Sequence, residues 1–205
     1  MKPICESSMT LDSFRSHVQP IIDPVARAGM RIGLTPNSCT IFAFLAAICG
    51  GIAFFLGHVL LGFFCVLLNS VLDAIDGAIA RKIGEAGPKG DFLDHTLDRY
   101  ADIALIYGTF AGPLCSWEIG VFALVGVLMS SYMGTQAEAI GVGRFYGGIL
   151  GRADRLMLLL IGALVTIAMP TGVFCLTPLA IVLLIFGIFG NVTAFQRFLH
   201  VWKQI

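Results

Sequence analysis

Apolar residues in this chain run in long blocks, broken by short polar segments. Six blocks stand out: Ser38–Gly57, Leu60–Ala80, Phe92–Gly112, Glu118–Ile140, Arg155–Met169 and Phe174–Phe195. A membrane-spanning helix needs about 20 mostly apolar residues, so each block predicts one. The fifth is short and is expected to borrow a turn from Arg152–Asp154. Pro113, Pro170 and Pro178 fall at or near block ends, where a missing N–H costs little. Six spans take up about 120 residues, which leaves an N-terminal segment and short loops. The expectation is one all-α integral membrane domain over residues 1–205, with a juxtamembrane segment at 1–36 and a six-helix bundle at 37–197.

The N-terminal segment has a different pattern. Residues Leu11–Ile32 mix Phe14, Val18, Ile21, Ile22, Val25 and Met30 with Arg15, Arg27 and Arg31, as an amphipathic helix in the membrane interface would. Pro20 and Pro24 are expected to break it into pieces, and a loose N-terminal arm stays open as the alternative. Residues Met1–Leu11 lack the apolar core of a secretory signal, so none is expected.

Basic residues set the orientation. Arg15, Arg27 and Arg31 precede the first block. Arg81, Lys82 and Lys89 separate the second and third, Arg144, Arg152 and Arg155 the fourth and fifth, and Arg197 and Lys203 follow the sixth. The opposite loops, Gly57–Val59, Pro113–Trp117 and Pro170–Thr177, carry no Lys or Arg. Both termini are therefore expected in the cytoplasm, and that parity supports an even number of spans.

Composition agrees. The chain is 57% hydrophobic and 13% charged, with a mean hydropathy of +0.88, whereas soluble domains carry about 25% charged residues. Thirteen basic residues balance thirteen acidic ones, which argues against nucleic-acid binding and its basic footprint. The six cysteines are scattered without a C-x-x-C and read as small hydrophobes, neither disulfide nor metal ligands.

The acids are not spread evenly. Asp73, Asp76, Glu85, Asp91, Asp94, Asp98 and Asp102 all fall in one 30-residue stretch. A carboxylate at the centre of a span costs about 2.5–3.5 kcal/mol on insertion scales and marks function by default. Asp73 and Asp76 share a helix face at i, i+3, and Asp94 and Asp98 share one at i, i+4. The loop between them is short, so the helices are antiparallel neighbours and the four carboxylates converge just below the cytoplasmic surface. Like charges in a low dielectric call for a cation. Oxygen donors suit Mg²⁺, Mn²⁺ or Ca²⁺, and four carboxylates can hold two such ions to clamp a displacement at phosphorus. Gly77 and Ala80 leave space beside such a centre, Arg81 suits phosphate, and Gly90 lets backbone approach a ligand.

Asp73-x-x-Asp76-Gly77-x-x-Ala80-Arg81, eight residues, then Gly90-x-x-x-Asp94-x-x-x-Asp98 resembles, without a departure, the signature of the CDP-alcohol phosphotransferases. Gly33-Leu34-Thr35-Pro36-Asn37 is similar to the segment that family members carry before their first span. The resemblance implies a phospholipid-synthesis enzyme that moves a phosphatidyl-type group from a CDP-linked lipid (CDP-diacylglycerol or CDP-archaeol) to a small alcohol, releasing CMP. It implies Mg²⁺ or Mn²⁺, two ions, on Asp73, Asp76, Asp94 and Asp98, with Asp98 also the general base. Asp73, Gly77, Ala80, Arg81 and Gly90 would meet the CDP-lipid, with Thr35, Pro36 and Asn37 bordering the cytidine. It also implies a homodimer in a prokaryotic cell membrane, with the active site on the cytoplasmic side.

The acceptor is less determined. Ser131-Tyr132-x-x-x-x-Ala137-Glu138, Arg152-x-x-Arg155-Leu156 and Leu97-Asp98-Arg99-Tyr100-Ala101-Asp102 resemble the branch that uses inositol phosphate, the phosphatidylinositol phosphate and archaetidylinositol phosphate synthases. That branch usually carries basic residues in the segment reading Met133-Gly134-Thr135-Gln136 here. Ser131, Gln136, Arg144, Arg152 and Arg155 are the expected acceptor contacts. Inositol, glycerol phosphate and serine stay open as acceptors, and topogenic charge stays open as the role of the three arginines. A cation transporter is the rival class, since intramembrane acids also mark ion pathways. Asp102 reads as supporting the site or pairing with Arg99, while Asp91 and Glu85 read as solvated acids. His17, His58, His95 and His200 have no mutual ligand spacing, and His95 points off the Asp94 face and reads as structural. Ala46, Gly50, Gly51, Gly108 and Gly112 permit close helix packing, within or between subunits.

Overall fold

The structure is a computed structural model that describes residues 15–83, 87–143, 147–169, 172 and 176–205. Those residues form seven helices: α1 (Arg15–Arg31), α2 (Pro36–Phe55), α3 (Val59–Ile83), α4 (Pro88–Ala111), α5 (Trp117–Ala139), α6 (Arg152–Ala168) and α7 (Pro178–Trp202). Helices α2, α3, α5 and α7 are long and apolar enough to cross a membrane. Helix α4 is long enough but carries Asp91, Asp94, Asp98, Arg99 and Asp102, and α6 has 17 residues.

Helix starts follow local chemistry. Thr35 and Ser38 form a reciprocal capping box ahead of α2, with Ser38 Oγ 2.9 Å from the Thr35 amide and Thr35 Oγ1 3.2 Å from the Ser38 amide. Pro36 takes the first helical position, where its missing N–H is free of cost. Helix α6 does begin at Arg152, its first turn closed by Asp154 Oδ2 accepting from the Gly151 amide at 2.7 Å. Helix α7 begins later than the apolar pattern indicates. Thr177 caps it through the Ala180 amide at 3.1 Å and Pro178 opens it; Phe174 lies outside the described residues.

Helix α1 corrects an expectation: it runs unbroken through Pro20 and Pro24. The two prolines stand four apart, so both lost backbone bonds fall on one side of the helix. Packing against α3 supplies the compensation. Ala26 is fully buried against Ile75, Ala78 and Ile79, and Lys82 Nζ lies 3.0 Å from Asp23 Oδ1.

Helix α2 packs on α3 and α4, α5 packs on α7, and α3–α6, α4–α5 and α6–α7 contacts join the two groups. The α2–α4 crossing is a glycine seam within one chain. A Cβ on Gly51 would stand 2.4 Å from the Ala104 carbonyl oxygen, and one on Gly108 2.0 Å from that of Gly51. Phe54, Leu105, Val127, Leu183 and Phe186 fill the interior, while Phe42, Phe64, Phe122 and Ile188 face outward. This outside-apolar arrangement suits a lipid solvent.

Candidate active site

Helices α3 and α4 meet α2 and α6 around the acidic motif. Asp73, Asp76 and Asp94 each present a carboxylate oxygen within 4.8 Å of the others. Asp98, one turn along α4 from Asp94, is buried, as is Asp76. Donors 2.0–2.6 Å from a common cation lie at most about 4–5 Å apart, so the three oxygens fit a single hard ion. Asp94 Oδ1 is buried without a hydrogen-bond partner, which a cation would satisfy. Three carboxylate oxygens favour Mg²⁺ or Mn²⁺ over Zn²⁺, and a second group at the same centre joins Asp94 and Asp98 with His95.

The surrounding side chains hold these acids in place. Thr40 on α2 donates from Oγ1 to Asp76 Oδ2 at 3.0 Å and lies 3.1 Å from the Pro36 carbonyl. Arg152, the first residue of α6, donates from Nη1 to Asp73 Oδ1 and places Nη2 2.9 Å from Asp98 Oδ1. One guanidinium therefore ties α6 to both α3 and α4. Deeper in the bundle, Asp102 accepts from Arg155 Nη2 at 2.8 Å and is ion-paired with Arg99, whose Nη1 lies 3.2 Å away. Arg99 also donates to Ser131 Oγ on α5. Asn69, Asp73, Asp98, Thr40 and Arg152 line a narrow crevice between these layers.

Other expected site residues fall around this centre. Gly77 and Ala80 are half-buried and Arg81 is exposed near the end of α3. A Cβ on Gly90 would lie 3.6 Å from Asn37 Oδ1, so the first turns of α2 and α4 meet, bringing two expected nucleotide contacts together. Thr35 and Pro36 are engaged in starting α2. Among the expected acceptor contacts, Ser131 is tied to Arg99, Arg152 to Asp73 and Asp98, and Arg155 to Asp102. Gln136 is exposed, and Arg144 lies outside the described residues, as does Glu85. Sequence reasoning did not single out Thr40; its only signal is a hydroxyl in an apolar helix, one turn after Pro36. The bridging role of Arg152 had no sequence signal, because it depends on how α6 packs.

A helical bundle with apolar outer faces, and an oxygen-rich centre backed by arginines at one helix pair, defines an integral membrane enzyme of phosphate-ester chemistry. The chain belongs to the CDP-alcohol phosphatidyltransferase family, whose model matches residues 33–196. It is 32% identical over 170 residues to the archaetidylinositol phosphate synthase of Pyrococcus horikoshii, covering 83% of this chain and 90% of that one. It is 34% identical over 201 residues to the phosphatidylinositol phosphate synthase of Cutibacterium acnes, covering 93% and 97%. Among solved structures it resembles the Mycobacterium tuberculosis phosphatidylinositol phosphate synthase with CDP-DAG bound, at 31% identity and a TM-score of 0.75 over 89% of this chain and 94% of that one. A second structure of that enzyme, in complex with manganese and citrate, aligns at 30% identity and a TM-score of 0.74, covering 88% of each chain.

Proposed function

We propose that this enzyme transfers a phosphatidyl-type group from a CDP-linked lipid to inositol phosphate and releases CMP. The observation that carries the proposal is the convergence of Asp73, Asp76 and Asp94 oxygens within 4.8 Å at the family motif. The bacterial and archaeal relatives, both inositol phosphate enzymes by name, support the choice of acceptor.

Asp73, Asp76, Asp94 and Asp98 hold Mg²⁺ or Mn²⁺, two ions when fully loaded. The ions supply neutralisation of the diphosphate and of the departing CMP. Gly77 and Ala80 leave room for the nucleotide, Arg81 neutralises phosphate, and Asn37 with Gly90 borders the cytidine beside Thr35 and Pro36. Asp98 accepts the proton of the attacking hydroxyl. The hydroxyl oxygen bonds to the lipid-bearing phosphorus, and the bond from that phosphorus to the CMP oxygen breaks. CMP leaves with the electron pair. Arg152, whose contacts with Asp73 and Asp98 the ions would replace, binds the acceptor with Gln136 and Arg144, while Arg155 and Ser131, tied to Asp102 and Arg99, hold that side of the site in place.

The same reading makes residues 1–205 one domain with six spans, α2 to α7, and puts both termini and the active site in the cytoplasm of a prokaryotic cell. Helix α6 spans about 25 Å at 1.5 Å per residue, close to a hydrocarbon core, and the acids of α4 gather towards one end. Helix α1 lies in the interface. Two copies pair as a homodimer, which crosslinking in native membranes tests.

The deciding assay measures CMP release from CDP-diacylglycerol and CDP-archaeol, with Mg²⁺ or Mn²⁺, against inositol phosphate, inositol, glycerol phosphate and serine. Inositol phosphate is expected to give the highest rate. A higher rate with another alcohol refutes the acceptor, and metal flux into liposomes without CMP release would favour a transporter.

A further inference from the structure

We propose that His95 is a nitrogen ligand at the acidic centre and biases it toward manganese-type ions over magnesium. The proposal rests on the metal reading given above. Helical geometry turns residue 95 about 100° from residue 94, which separates the two side chains on paper. In the structure His95 Nδ1 nevertheless lies 4.0 Å from Asp94 Oδ2. Asp94, His95 and Asp98 each offer one ligand atom within 4.8 Å of the others, which fits donors around a shared ion.

The other face of the ring supports the assignment. Nε2 lies 3.0 Å from Asp91 Oδ1, one turn earlier on α4. An imidazole that ligates a metal through one nitrogen almost always gives its other N–H to a carboxylate or carbonyl, which fixes the tautomer. Asp91, His95 and the centre stand in that order. Nε2 is buried and makes no hydrogen bond in this structure, so a small turn of the ring towards Asp91 is what completes that contact, leaving the Nδ1 lone pair for the ion. Asp91 thereby gains a role as the residue that orients His95.

Imidazole changes the ion preference. Mg²⁺ selects oxygen donors and keeps its waters, while first-row transition ions gain from a nitrogen donor. A four-carboxylate centre has little reason to discriminate, whereas the same centre with one imidazole favours Mn²⁺.

Pulsed EPR on the full chain in lipid nanodiscs, free of affinity tag and loaded with Mn²⁺, tests this. Nitrogen-14 modulation from a directly bound imidazole is expected, and it is lost in His95→Ser. Mn²⁺ affinity in that variant falls by about tenfold or more, while Mg²⁺ affinity changes less than about twofold. Asp91→Asn keeps the modulation and weakens Mn²⁺ on the order of tenfold, as loss of a partner to a ligand does. Mn²⁺ that binds in an Asp94-dependent way without nitrogen-14 modulation overturns the His95 assignment and leaves the carboxylate centre standing. Absence of any Mn²⁺ binding overturns both.

Discussion

Asp102→Ala is predicted to destabilise the bundle more than any other single loss of charge near the site. Asp102 is 5% exposed and is the shared acceptor for Arg155, 4% exposed, and Arg99. Its removal leaves Arg155 buried without an anion, and an orphaned buried ion costs about 3–5 kcal/mol. At about 2–4 °C per kcal/mol for a chain of this size, the melting temperature falls by roughly 6–20 °C. The reverse truncation, Arg155→Met, costs less, because Arg99 still faces Asp102 at 3.2 Å. The double variant Asp102→Leu with Arg155→Met recovers most of the loss, as apolar replacement of a whole buried pair often does. Thermal unfolding of the four proteins in nanodiscs, followed by circular dichroism, gives the comparison. A drop below about 2 °C for Asp102→Ala, or a double variant worse than the sum of the singles, refutes the reading of Asp102 as the anchor of this layer.

Asp98→Asn is predicted to weaken Mn²⁺ binding and, at saturating Mn²⁺, still to lower CMP release about 10²–10⁴-fold, the usual weight of a general base; full turnover at saturating Mn²⁺ would remove Asp98 from that role. Thr40→Val deletes the 3.0 Å bond to Asp76, worth about 1.5–3 kcal/mol for a charged acceptor. Mn²⁺ affinity should fall about tenfold or more and return in Thr40→Ser, so equal affinities for the two variants would exclude Thr40 as a positioning residue. Gly108→Ala puts a carbon 2.0 Å from the Gly51 carbonyl oxygen and should cost at least about 1–3 kcal/mol by overpacking, read as a lower melting temperature; an unchanged value would mean the seam opens freely. Chelation should abolish CMP release and lower the melting temperature, and Mn²⁺ at 100 times its dissociation constant should restore about 2.7 kcal/mol. A melting temperature indifferent to metal would contradict the ion-holding role of the four aspartates.

The acidic centre was legible because it is local. Asp73 with Asp76, and Asp94 with Asp98, owe their shared faces to helical periodicity alone; the expected direct α3–α4 pairing is corrected, since both helices pack on α2, which brings the two faces together. The glycines of the α2–α4 crossing were legible as packing residues but not as intrachain ones, since small residues suit either kind of contact. What escaped the sequence depends on long-range packing. Arg152 reaches Asp73 across 79 residues and Arg155 reaches Asp102 across 53, and no spacing rule joins them. The nearness of the His95 ring to Asp91 and Asp94 was not legible, because helical phase gives the direction of the Cβ atom and not where a ring on two rotatable bonds ends. Helix α1 was expected to break at its prolines because propensity was weighed without the buried contact at Ala26 that offsets it.

The buried pair of Asp102 and Arg155 also bears on how the protein is made. On the six-span reading, α4 leaves the ribosome carrying Asp98 and Asp102, each costing about 2.5–3.5 kcal/mol at the centre of a span. Arg99 travels with them on α4, but the other two arginines that neutralise them, Arg152 and Arg155, arrive with α6, 53 residues later in the case of Asp102. At 5–20 residues per second that delay is about 3–10 seconds. During it, α4 has every reason to stay out of the hydrocarbon or to shelter at the insertion machinery. Helix α4 should therefore enter the bilayer only when α6 is available. Glycosylation mapping of chains ended after α5 and after α6 would reveal that order.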